Sequence, residues 1–589
     1  MDIKSLEVFK KSVISNFKFL KSSQNIKEVY LKSIPIGDLG FLLPLSIVHL
    51  NDLHLMQKLF FWNNANPIIV SSRLNFDIED ISEWVRNEVL NVEDRIIFLI
   101  GNNEGQICGQ ISIDNCHSGQ FEINDVLKCN PESSKEMILS ALLSLFEWFR
   151  KTTNADSFSL RVMEGDIDEI QFYEKNNFIK TEKIPLVKET KNNVLSYRQA
   201  DETENPDKFF IKMTWKPSAH DVGQSMILTA GPSISSKESL YAYDAASKGW
   251  NNEWSKYLTR FEQAFAEYIG VEYAIATSSC TGALQIALMA LDIGPGDEVI
   301  VPDQTWVATA NAVRYVGATP IFADVEIDTW NIDSSSVEKL ITNKTKAIMP
   351  VHMYGHPARM TNLMQLANRY NLKIVEDAAP AIGAEWQGKR CGSFGSFAGF
   401  SFQGAKLMVT GEGGMLVTND KDLYQKAFKI WDQGRNPSRT FWIDEDGVKF
   451  KMSNIQAALG LAQLERVDEL IEMKRRIFSW YEEGLEGLPN VLLNKEVEGA
   501  RSIYWMSSIR LEPTSPVSRD NLIKELKSRN IDSRPVFPAI SQYPIWPVKQ
   551  EPKPIAFLIG NQAINLPSGV CLTKDQVMYV ANQIKEILK

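Results

Sequence analysis

The chain has 589 residues, of which 44% are apolar, 10% aromatic and 23% charged. This composition is typical of a globular protein with several buried cores and excludes a disordered or fibrous chain. The formal net charge of −10 argues against general nucleic-acid binding, because that function requires a basic face.

No segment of the sequence predicts export or membrane insertion. The longest apolar runs, such as 41–48, are far shorter than the roughly 18 residues of a membrane span. The N-terminus lacks the continuous apolar stretch of a signal peptide. The six cysteines are scattered and form no CxxC pair, which is typical of reduced thiols rather than of a disulfide framework or a zinc site. We therefore expect a cytoplasmic protein without a membrane span or a bound metal.

The first 24 residues predict an amphipathic helix, because apolar residues recur at helical spacing between lysines: Leu6, Phe9, Val13, Phe17 and Leu20. Such a helix could lie on a membrane surface. Packing on its own domain is the expected alternative, since apolar stripes of this kind are the norm in soluble proteins. Farther along, two apolar runs around 102–105 predict a hairpin, 137–150 predicts a helix and 157–162 predicts a strand.

The pattern changes after 216–224, a polar stretch with proline and glycine that is typical of a linker. From about residue 226, β-type runs alternate with helical segments, which predicts an α/β fold with a mostly parallel sheet. We expect an N-terminal domain over 1–216, a linker over 217–225, a large domain over 226–460 and a small C-terminal domain over 461–589.

Two junctions in the α/β region predict ligand contacts. The strand 273–279 runs into Cys280, Thr281 and an apolar helix, and such a junction presents free backbone N–H groups and a positive helix end to a phosphate. An apolar strand ends in Asp377, which places a carboxylate at the C-terminal edge of a parallel sheet, where ligands bind. The alternative for Asp377 is a helix N-cap.

Two further residues complete a candidate site. Lys406 lies between an aromatic strand and a glycine-rich turn, so we expect its amine to be buried and neutralised by pairing or by a covalent bond. A surface position is the alternative, since most lysines are exposed. Trp306 is either ordinary core or an aromatic face for a planar cofactor. A phosphate seat, an aromatic platform, a carboxylate and a lysine in this order are what pyridoxal 5'-phosphate requires.

Residues 226–589 resemble the DegT–DnrJ–StrS family of nucleotide-sugar aminotransferases. The resemblance lies in stretches such as GDEVIVPDQTWVATANAV, KAIMPVHMYGHP, VEDAAPAIGA, FSFQGAKLMVTGEGGMLVTND and MSNIQAALGLAQLE, which together with others cover nearly all of the region. It implies an α/β, fold-type-I pyridoxal phosphate aminotransferase with a large domain and a small C-terminal domain. Within the family the sequence is most similar to perosamine-synthase-like enzymes, which aminate C4 of a 4-keto-6-deoxyhexose.

The resemblance also implies residue roles. Lys406 would attach the cofactor and move protons, Asp377 would partner the pyridine nitrogen, and Trp306 would stack on the ring. The remaining cofactor contacts would be made to the phosphate by Cys280, Thr281, Ser401 and Lys449. Lys449 takes the place of an asparagine that reaches the partner subunit's site, so a homodimer is implied; lysine could serve there as a point charge.

Three departures and alternatives accompany this resemblance. Pro380 stands where the family often has Gln or Glu, so a contact near the cofactor ring is lost or replaced. Some members carry histidine in place of the lysine and dehydrate their sugar, whereas Lys406 favours transamination. His352 and His356 lie near no cysteine or acidic residue at metal-ligand spacing, and we interpret them as structural or site-lining.

The N-terminal region resembles the GNAT acyltransferase superfamily over 77–90, 96–113 and 157–178. The segment IQFYEKNNF is the most specific match, and its Tyr173 would protonate a departing CoA thiolate. The superfamily's pyrophosphate loop contains glycine, whereas the corresponding stretch 130–135 reads NPESSK. Glu122 is a candidate general base, with an exposed strand carboxylate as the alternative. The region is thus expected to be an α+β GNAT-like domain.

The combined reading is amination of a nucleotide-linked 4-keto-6-deoxyhexose with L-glutamate, followed by N-acetylation from acetyl-CoA, for surface polysaccharide synthesis. One alternative makes the N-terminal domain an inert binding or dimerisation module. Another is sugar dehydration at the same cofactor, which Lys406 disfavours. A third is a ligand-binding regulator that keeps the fold, which the intact Lys406 and Asp377 disfavour.

Overall fold

The computed structural model describes residues 3–65, 81–117, 120–128, 135–153, 155, 157–191, 194–201, 203–215, 222–223, 225–547 and 549–589. The chain divides into two compact units, Met1–Asp221 with Ile234–Leu240 and Val222–Ser233 with Tyr241–Lys589. Most of the expected linker 217–225, and the stretch 130–134 of the expected pyrophosphate loop, lie outside the described residues. The domain boundaries expected from the sequence remain predictions.

The described part of the first unit contains one nine-stranded sheet, in the spatial order β1-β2-β3-β4-β5-β6-β9-β7-β8. Its strands are β1 (Ile34–Ile36), β2 (Gly40–Pro44), β3 (Ile96–Asn102), β4 (Ile107–His117), β5 (Gln120–Lys128), β6 (Ser157–Met163), β7 (Phe178–Lys191), β8 (Val194–Gln199) and β9 (Lys208–Trp215). The hairpin predicted around 102–105 is confirmed as β3–β4. The strand predicted at 157–162 is confirmed as β6.

Helices flank this sheet: α1 (Ile3–Lys21), α2 (Ile26–Leu31), α3 (Leu53–Ala65), α4 (Ile81–Val85), α5 (Lys135–Thr152) and α6 (Ile167–Lys175). Single turns of tighter or wider helix occupy Ile47–Asn51 and Arg86–Leu90. On α1 the predicted stripe is buried at Phe9, Val13, Phe17 and Leu20, in one core with residues of α5 and the sheet. The helix thus packs on its own domain, as the periodicity favoured. No helix of the described residues is long and apolar enough to span a membrane.

One parallel pair interrupts the otherwise antiparallel sheet of the first unit. Strands β5 and β6 run parallel and pair only over Gln120–Ile123 and Ser157–Leu160. Beyond these residues β5 and β6 no longer pair with each other. Strand β6 continues to pair with β9 on its other side. The two strands therefore open a gap in the sheet on the side of their C-terminal ends.

The second unit is built on a seven-stranded sheet, ordered β10-β18-β17-β14-β13-β11-β12 within the described residues. Its strands are β10 (Tyr273–Thr277), β11 (Glu298–Pro302), β12 (Thr319–Ala323), β13 (Thr345–Ile348), β14 (Lys373–Asp377), β17 (Phe397–Ser401) and β18 (Gly414–Thr418). All neighbours are parallel except β18, which is antiparallel to both β10 and β17. The predicted mostly parallel α/β sheet is confirmed.

Two small sheets accompany the large one. Strands β15 (Glu385–Trp386), β16 (Lys389–Arg390) and β20 (Ala500–Arg501) form one. The other has the order β19-β21-β23-β22, with β19 (Val491–Leu493), β21 (Ser508–Leu511), β22 (Arg534–Pro535) and β23 (Ala563–Asn565). It packs with α15, α16 and α18 in a separate apolar core.

The helices of the second unit are α7 (Ser236–Lys248), α8 (Lys256–Ile269), α9 (Cys280–Ala290), α10 (Ala308–Tyr315), α11 (Ser334–Leu340), α12 (Met360–Tyr370), α13 (Lys421–Trp431), α14 (Asn454–Leu464), α15 (Val467–Leu485), α16 (Arg519–Ser528), α17 (Pro554–Gln562) and α18 (Lys574–Ile587), the first of which begins in the segment assigned to the other unit. Single 3-10 turns occupy Asn251–Glu253, Met353–Gly355 and Ile540–Gln542. Every residue of β17 and β18 is buried, as expected for central strands covered by helices on both faces.

Candidate active site

The candidate site lies where several strands of the large sheet end. Strands β11, β14 and β17 are parallel, and β10 shares their direction because β18 reverses the chain between β17 and β10. Their C-terminal ends therefore meet at one edge, the usual ligand edge of an open α/β sheet. The residues predicted from the sequence follow these ends: Cys280 after β10, Trp306 after β11, Asp377 on β14 and Ser401 on β17.

Asp377 is buried and held by neighbours on both carboxylate oxygens. The hydroxyl of Thr309 on α10 donates to Oδ2 over 2.7 Å, and the backbone N–H of Ala379 donates to Oδ1 over 3.2 Å. Burial raises the pKa of the Asp377 carboxyl, and the Thr309 hydroxyl, the Ala379 N–H and the Lys406 amine oppose that rise. The N-cap alternative is wrong, because the next helix after Asp377 begins only at Lys421.

The side chain of Lys406 is half-buried in the turn after β17, so it is neither a fully exposed surface lysine nor a fully buried one. Burial lowers the pKa of this amine to about 8, while the negative charge of Asp377 favours the protonated form. Its Nζ lies 3.8 Å from the centroid of the Trp505 ring. The structure thus brings a half-buried lysine and a buried carboxylate into one electrostatically coupled site.

The phosphate seat predicted at Cys280 and Thr281 is the first turn of α9. Ser279 caps this helix by accepting from the Gly282 N–H over 3.1 Å, and first-turn N–H groups have no partner inside a helix. A Cβ on Gly414 would lie 2.5 Å from the Cys280 nitrogen, so glycine is required where β18 passes this turn. Ser401 faces Gly414 in the β17–β18 register and is buried.

Trp306 and Lys449 are both accessible. The Trp306 side chain is 56% exposed and contacts Phe537 with ring centroids 5.4 Å apart, so it is not ordinary core and one aromatic face is open. Lys449 is exposed on 432–452, the segment between α13 and α14.

The Cys280 thiol lies 3.9 Å from the Asp377 carboxylate. Burial raises the pKa of this thiol, so the protonated thiol form is favoured.

The structure adds two residues that the sequence reading missed. Thr309 lies in the stretch VATANAV, and nothing in the local pattern distinguishes its hydroxyl from that of any helical threonine. Trp505 lies about 100 residues beyond Lys406, and only the tertiary fold brings the two together. Trp505 precedes a strand of a different sheet, and the local sequence around it does not indicate a contact with Lys406.

His352 and His356 are buried and hydrogen-bonded to protein groups. His352 accepts from the Ala358 N–H at Nδ1 over 3.0 Å and contacts Glu376 through Nε2 at 3.0 Å. Hydrogen bonds from His352 and from backbone N–H groups lower the pKa of Glu376 against the opposing effect of burial. Nε2 of His356 accepts from the Val497 N–H over 3.3 Å. These contacts support the structural interpretation of both histidines.

The residues at the sheet edge fit pyridoxal 5'-phosphate. The donor set comprises an amine with lowered proton affinity, a buried carboxylate for the ring nitrogen, helix N–H groups for the phosphate and an exposed aromatic ring. Each group matches one functional part of that cofactor. Pro380 is buried beside this set and offers no side-chain hydrogen bond, consistent with the departure noted in the sequence.

A cavity of about 760 Å³ lies in the first unit where β5 and β6 diverge. Its walls include Val126 of β5, Val162 of β6 and Tyr173 of α6. The Tyr173 hydroxyl lies 3.4 Å from Glu169, and burial together with that carboxylate raises the pKa of the phenol. The phenol is therefore protonated at neutral pH and has an acceptor that orients it.

The environment of Glu122 differs from the exposed position that the alternative to a general base expects. The side chain is buried and forms an ion pair with Arg161 of β6, with Lys212 of β9 at 3.8 Å on its other oxygen. The interpretation of Glu122 as an exposed strand carboxylate is thus wrong. The pairing also occupies the carboxylate, which opposes a role as a general base.

Comparison with solved structures identifies the class of the second unit. S. venezuelae DesV, solved in complex with a ketimine intermediate, matches with a TM-score of 0.56 and 33% identity over 60% of this chain and 94% of that chain. DesI, solved in the presence of its TDP-sugar product, matches with a TM-score of 0.58 and 29% identity over 63% of this chain and 94% of that chain. The fold is that of the fold-type-I, pyridoxal phosphate-dependent aminotransferases.

The chain belongs to the DegT/DnrJ/EryC1/StrS aminotransferase family, whose model matches residues 232–585. It is 42% identical to the GDP-perosamine synthase of Caulobacter vibrioides over 62% of this chain and 98% of that protein. It is 43% identical to the GDP-perosamine synthase of Escherichia coli O157:H7 over 60% of this chain and 96% of that protein. The resemblance of residues 226–589 to this aminotransferase family is confirmed.

Proposed function

We propose that the second unit transfers an amino group from L-glutamate to C4 of a nucleotide-linked 4-keto-6-deoxyhexose, using pyridoxal 5'-phosphate. Membership of the aminotransferase family and the 42% and 43% identity to two GDP-perosamine synthases support this substrate class. The observation that carries the proposal is that the Lys406 amine and the buried Asp377 carboxylate lie close enough at the ligand edge of the sheet to influence each other's pKa.

The residues of the site have distinct roles in this proposal. The bound cofactor supplies an electron sink for the carbon that loses or gains a proton. With a pKa of about 8, Lys406 Nζ exists in both protonation states near neutral pH, so it can accept that proton and return it. Asp377 holds a negative charge toward the ring nitrogen. Because the family resemblance implies that some members with histidine in place of this lysine dehydrate their sugar, the presence of Lys406 favours transamination.

The remaining contacts would position the cofactor. Trp306 offers its open face to the ring, and the N–H groups of Cys280 and Thr281 with the Ser401 hydroxyl would bind the phosphate. Helix N-termini stabilise phosphate through both their free N–H groups and the helix dipole.

A homodimer is part of the proposal. The segment 432–452 carries Lys449 together with large exposed apolar side chains, among them Phe441, which is 97% exposed, Trp442 and Ile443. Contiguous exposed aromatic side chains are typical of a protein interface. A second copy that covers this segment would bury the aromatic side chains and bring Lys449 to the partner's phosphate site.

We further propose that the first unit acylates the product amine from acetyl-CoA in the cytoplasm, giving an N-acetylated sugar for surface polysaccharide. The cavity between β5 and β6 supports this, because Tyr173 lines it in protonated form. The amine nitrogen would bond to the acyl carbon and release a proton to solvent. As the carbon–sulfur bond breaks, the thiolate would take the Tyr173 proton, which solvent restores.

The test is mass spectrometry of the full-length protein with pyridoxal 5'-phosphate, L-glutamate and a panel of nucleotide-linked 4-keto-6-deoxyhexoses, with and without acetyl-CoA. The proposal expects an amino sugar in all reactions with the right substrate and an acetylated one only with acetyl-CoA. K406A should abolish the amine, and Y173F should lose acetylation alone. An amino sugar that acetyl-CoA leaves unchanged would make the first unit a binding module.

A further inference from the structure

We propose that Trp505 is the positioning residue for Lys406: its indole holds the turn that carries Lys406 and presents an aromatic face to the amine. This inference rests on the proposed role of Lys406 in the amination. It assigns a function at the site to a residue that precedes β21 of the sheet β19-β21-β23-β22, whereas the predicted cofactor contacts end or follow strands of the large sheet or lie on 432–452.

The indole makes contacts with two adjacent residues of one turn. Its Nε1–H donates to the Ala405 carbonyl over 2.8 Å, and its ring lies 3.8 Å from Lys406 Nζ, measured to the centroid. A hydrogen bond to the backbone fixes where the lysine side chain begins. The ring contact fixes where the side chain ends, because a cation is attracted to the face of an aromatic ring.

The indole itself is held by neighbouring aromatic rings. It is 6% exposed and stacks on Tyr354 with centroids 5.9 Å apart. Tyr354 stacks on Phe537 at 5.6 Å, and Phe537 contacts Trp306 at 5.4 Å. A continuous row of rings therefore connects the open face of Trp306 with the amine of Lys406. Packed rings of this kind leave little room for one member to shift alone.

The backbone around Trp505 is fixed as firmly as its ring. The buried amine of Lys474 donates to the carbonyl oxygens of Trp505, over 2.9 Å, and of Ser568. Tyr504 adopts a left-handed conformation with φ of +46° and stacks on Phe478 at 3.7 Å. A Cβ on Gly355 would lie 2.9 Å from the Trp505 nitrogen. A non-glycine residue in a left-handed conformation persists only where its surroundings enforce it, often beside a functional site.

The two contacts have separable consequences. Leucine at position 505 would keep water away from Lys406 but remove the aromatic face, so the protonated amine would lose a favourable partner. Phenylalanine would keep a face and lose only the hydrogen bond to Ala405. The loss of the face should lower the pKa of the amine by about one unit, whereas the loss of the hydrogen bond should leave that pKa within about 0.3 units.

The experiment measures the Lys406 amine directly in the full-length, cofactor-free protein. Reductive methylation across a pH series, followed by mass spectrometry of the Lys406 peptide, gives the pKa of the amine in wild type, W505L and W505F. W386L and W386F are the matched controls, because Trp386 is also buried and donates its Nε1–H to Thr361 at 2.8 Å. Both controls should keep the wild-type pKa.

In the cofactor-loaded protein, the pH titration of the cofactor's visible absorbance should shift in W505L in the same direction. W505F should lower kcat about 10-fold with little change in KM. A wild-type pKa of the amine in W505L would overturn the proposal. If W505L does not fold, wild-type kcat in W505F would overturn it.

The proposed function can fail separately from this inference. A full-length protein that shows no cofactor absorbance and forms no amino sugar would refute the proposed function. The labelling of the cofactor-free amine would still decide whether Trp505 sets the protonation of Lys406.

Discussion

Asp377 accepts its shortest side-chain hydrogen bond from the hydroxyl of Thr309, over 2.7 Å, while the Cys280 thiol lies 3.9 Å from its other oxygen. Burial raises the pKa of Asp377, and a carboxyl that must stay ionised beside a ring nitrogen needs donors that oppose this rise. The Ala379 N–H is the backbone donor to the other oxygen. Replacement of Thr309 therefore tests how the charge of Asp377 is maintained.

We predict that T309V lowers kcat/KM about 10- to 100-fold, the usual cost of a hydrogen bond to a charged group. Without that hydroxyl the pKa of Asp377 rises further, so the acidic limb of the pH profile should move to higher pH. The measurement is kcat/KM for amination from pH 5 to pH 9. T309S keeps the hydroxyl and should restore both the rate and the profile; equal profiles for T309V and wild type would contradict the prediction.

A second titratable residue affects stability rather than chemistry. Glu262 on α8 accepts from the Ala276 N–H over 2.8 Å, and burial raises its pKa from 4.5 to about 7. Between these two values the folded protein binds more protons than the unfolded chain at this position. The free energy of unfolding should therefore fall as the pH rises from about 4.5 to about 7 and level off above.

We predict that E262Q removes this contribution, because the amide can still accept from Ala276 but carries no charge. The variant should gain on the order of 2 kcal/mol relative to wild type at pH 8 and little at pH 5. Chemical denaturation at the two pH values measures the difference. The exposed Glu267→Gln is the control on the same helix, and a gain that is equal at both pH values would refute the assignment.

At the scale of elements, helix caps fix where the chain turns toward the site. Helix α14 starts with a capping box of the pattern S-x-x-Q: the Ser453 hydroxyl accepts from the Gln456 N–H, and the Gln456 side chain accepts from the Ser453 N–H. The Gln456 side chain also donates to the Glu412 carbonyl over 2.8 Å. The cap thereby connects α14 to the glycine-rich turn that leads into β18.

We predict that S453A destabilises the protein by about 1 kcal/mol, the usual cost of losing an N-cap hydroxyl. Thermal unfolding with and without pyridoxal 5'-phosphate measures it. S479A removes an exposed hydroxyl from the interior of α15 and should change stability far less. Equal losses in the two variants would mean that the cap contributes nothing specific.

At the scale of the whole molecule, each unit has its own apolar cores. The first unit packs α1 and α5 against its sheet, and the second packs α8, α14 and the large sheet in another cluster. The segment Val222–Ser233 belongs to the second unit, where Thr229 binds Asp532 through its N–H and its hydroxyl. A fragment that includes Val222–Ser233 therefore retains these two hydrogen bonds.

We predict that a fragment of residues 222–589 folds and keeps amination within about threefold of the full-length kcat/KM, since units with separate cores usually fold alone. It should not acetylate its product. A fragment that starts at 234 lacks Thr229 and is expected to be less stable. Loss of amination by the 222–589 fragment, with its fold intact by circular dichroism, would show that the first unit takes part in that reaction.

The sequence by itself determined the class of fold and most of the proposed cofactor site. Asp377, Cys280 and Lys406 lie at junctions of strand, turn and helix, and such junctions have local signatures: an apolar run that ends in a polar residue, small residues at a tight turn and a helix start. The stripe on α1 and the capping box of α14 were readable for the same reason. Their spacing follows from helix geometry alone.

Tertiary structure decided the contacts between distant segments. Thr309 meets Asp377 across 68 residues, Trp505 meets the Lys406 turn across 100, and Glu122 pairs with Arg161 and Lys212 because of the register of three strands. The segment Ile234–Leu240 joins the first unit although both its flanks join the second. Contacts of this kind arise from how whole elements pack, and packing leaves no local pattern from which a partner can be read.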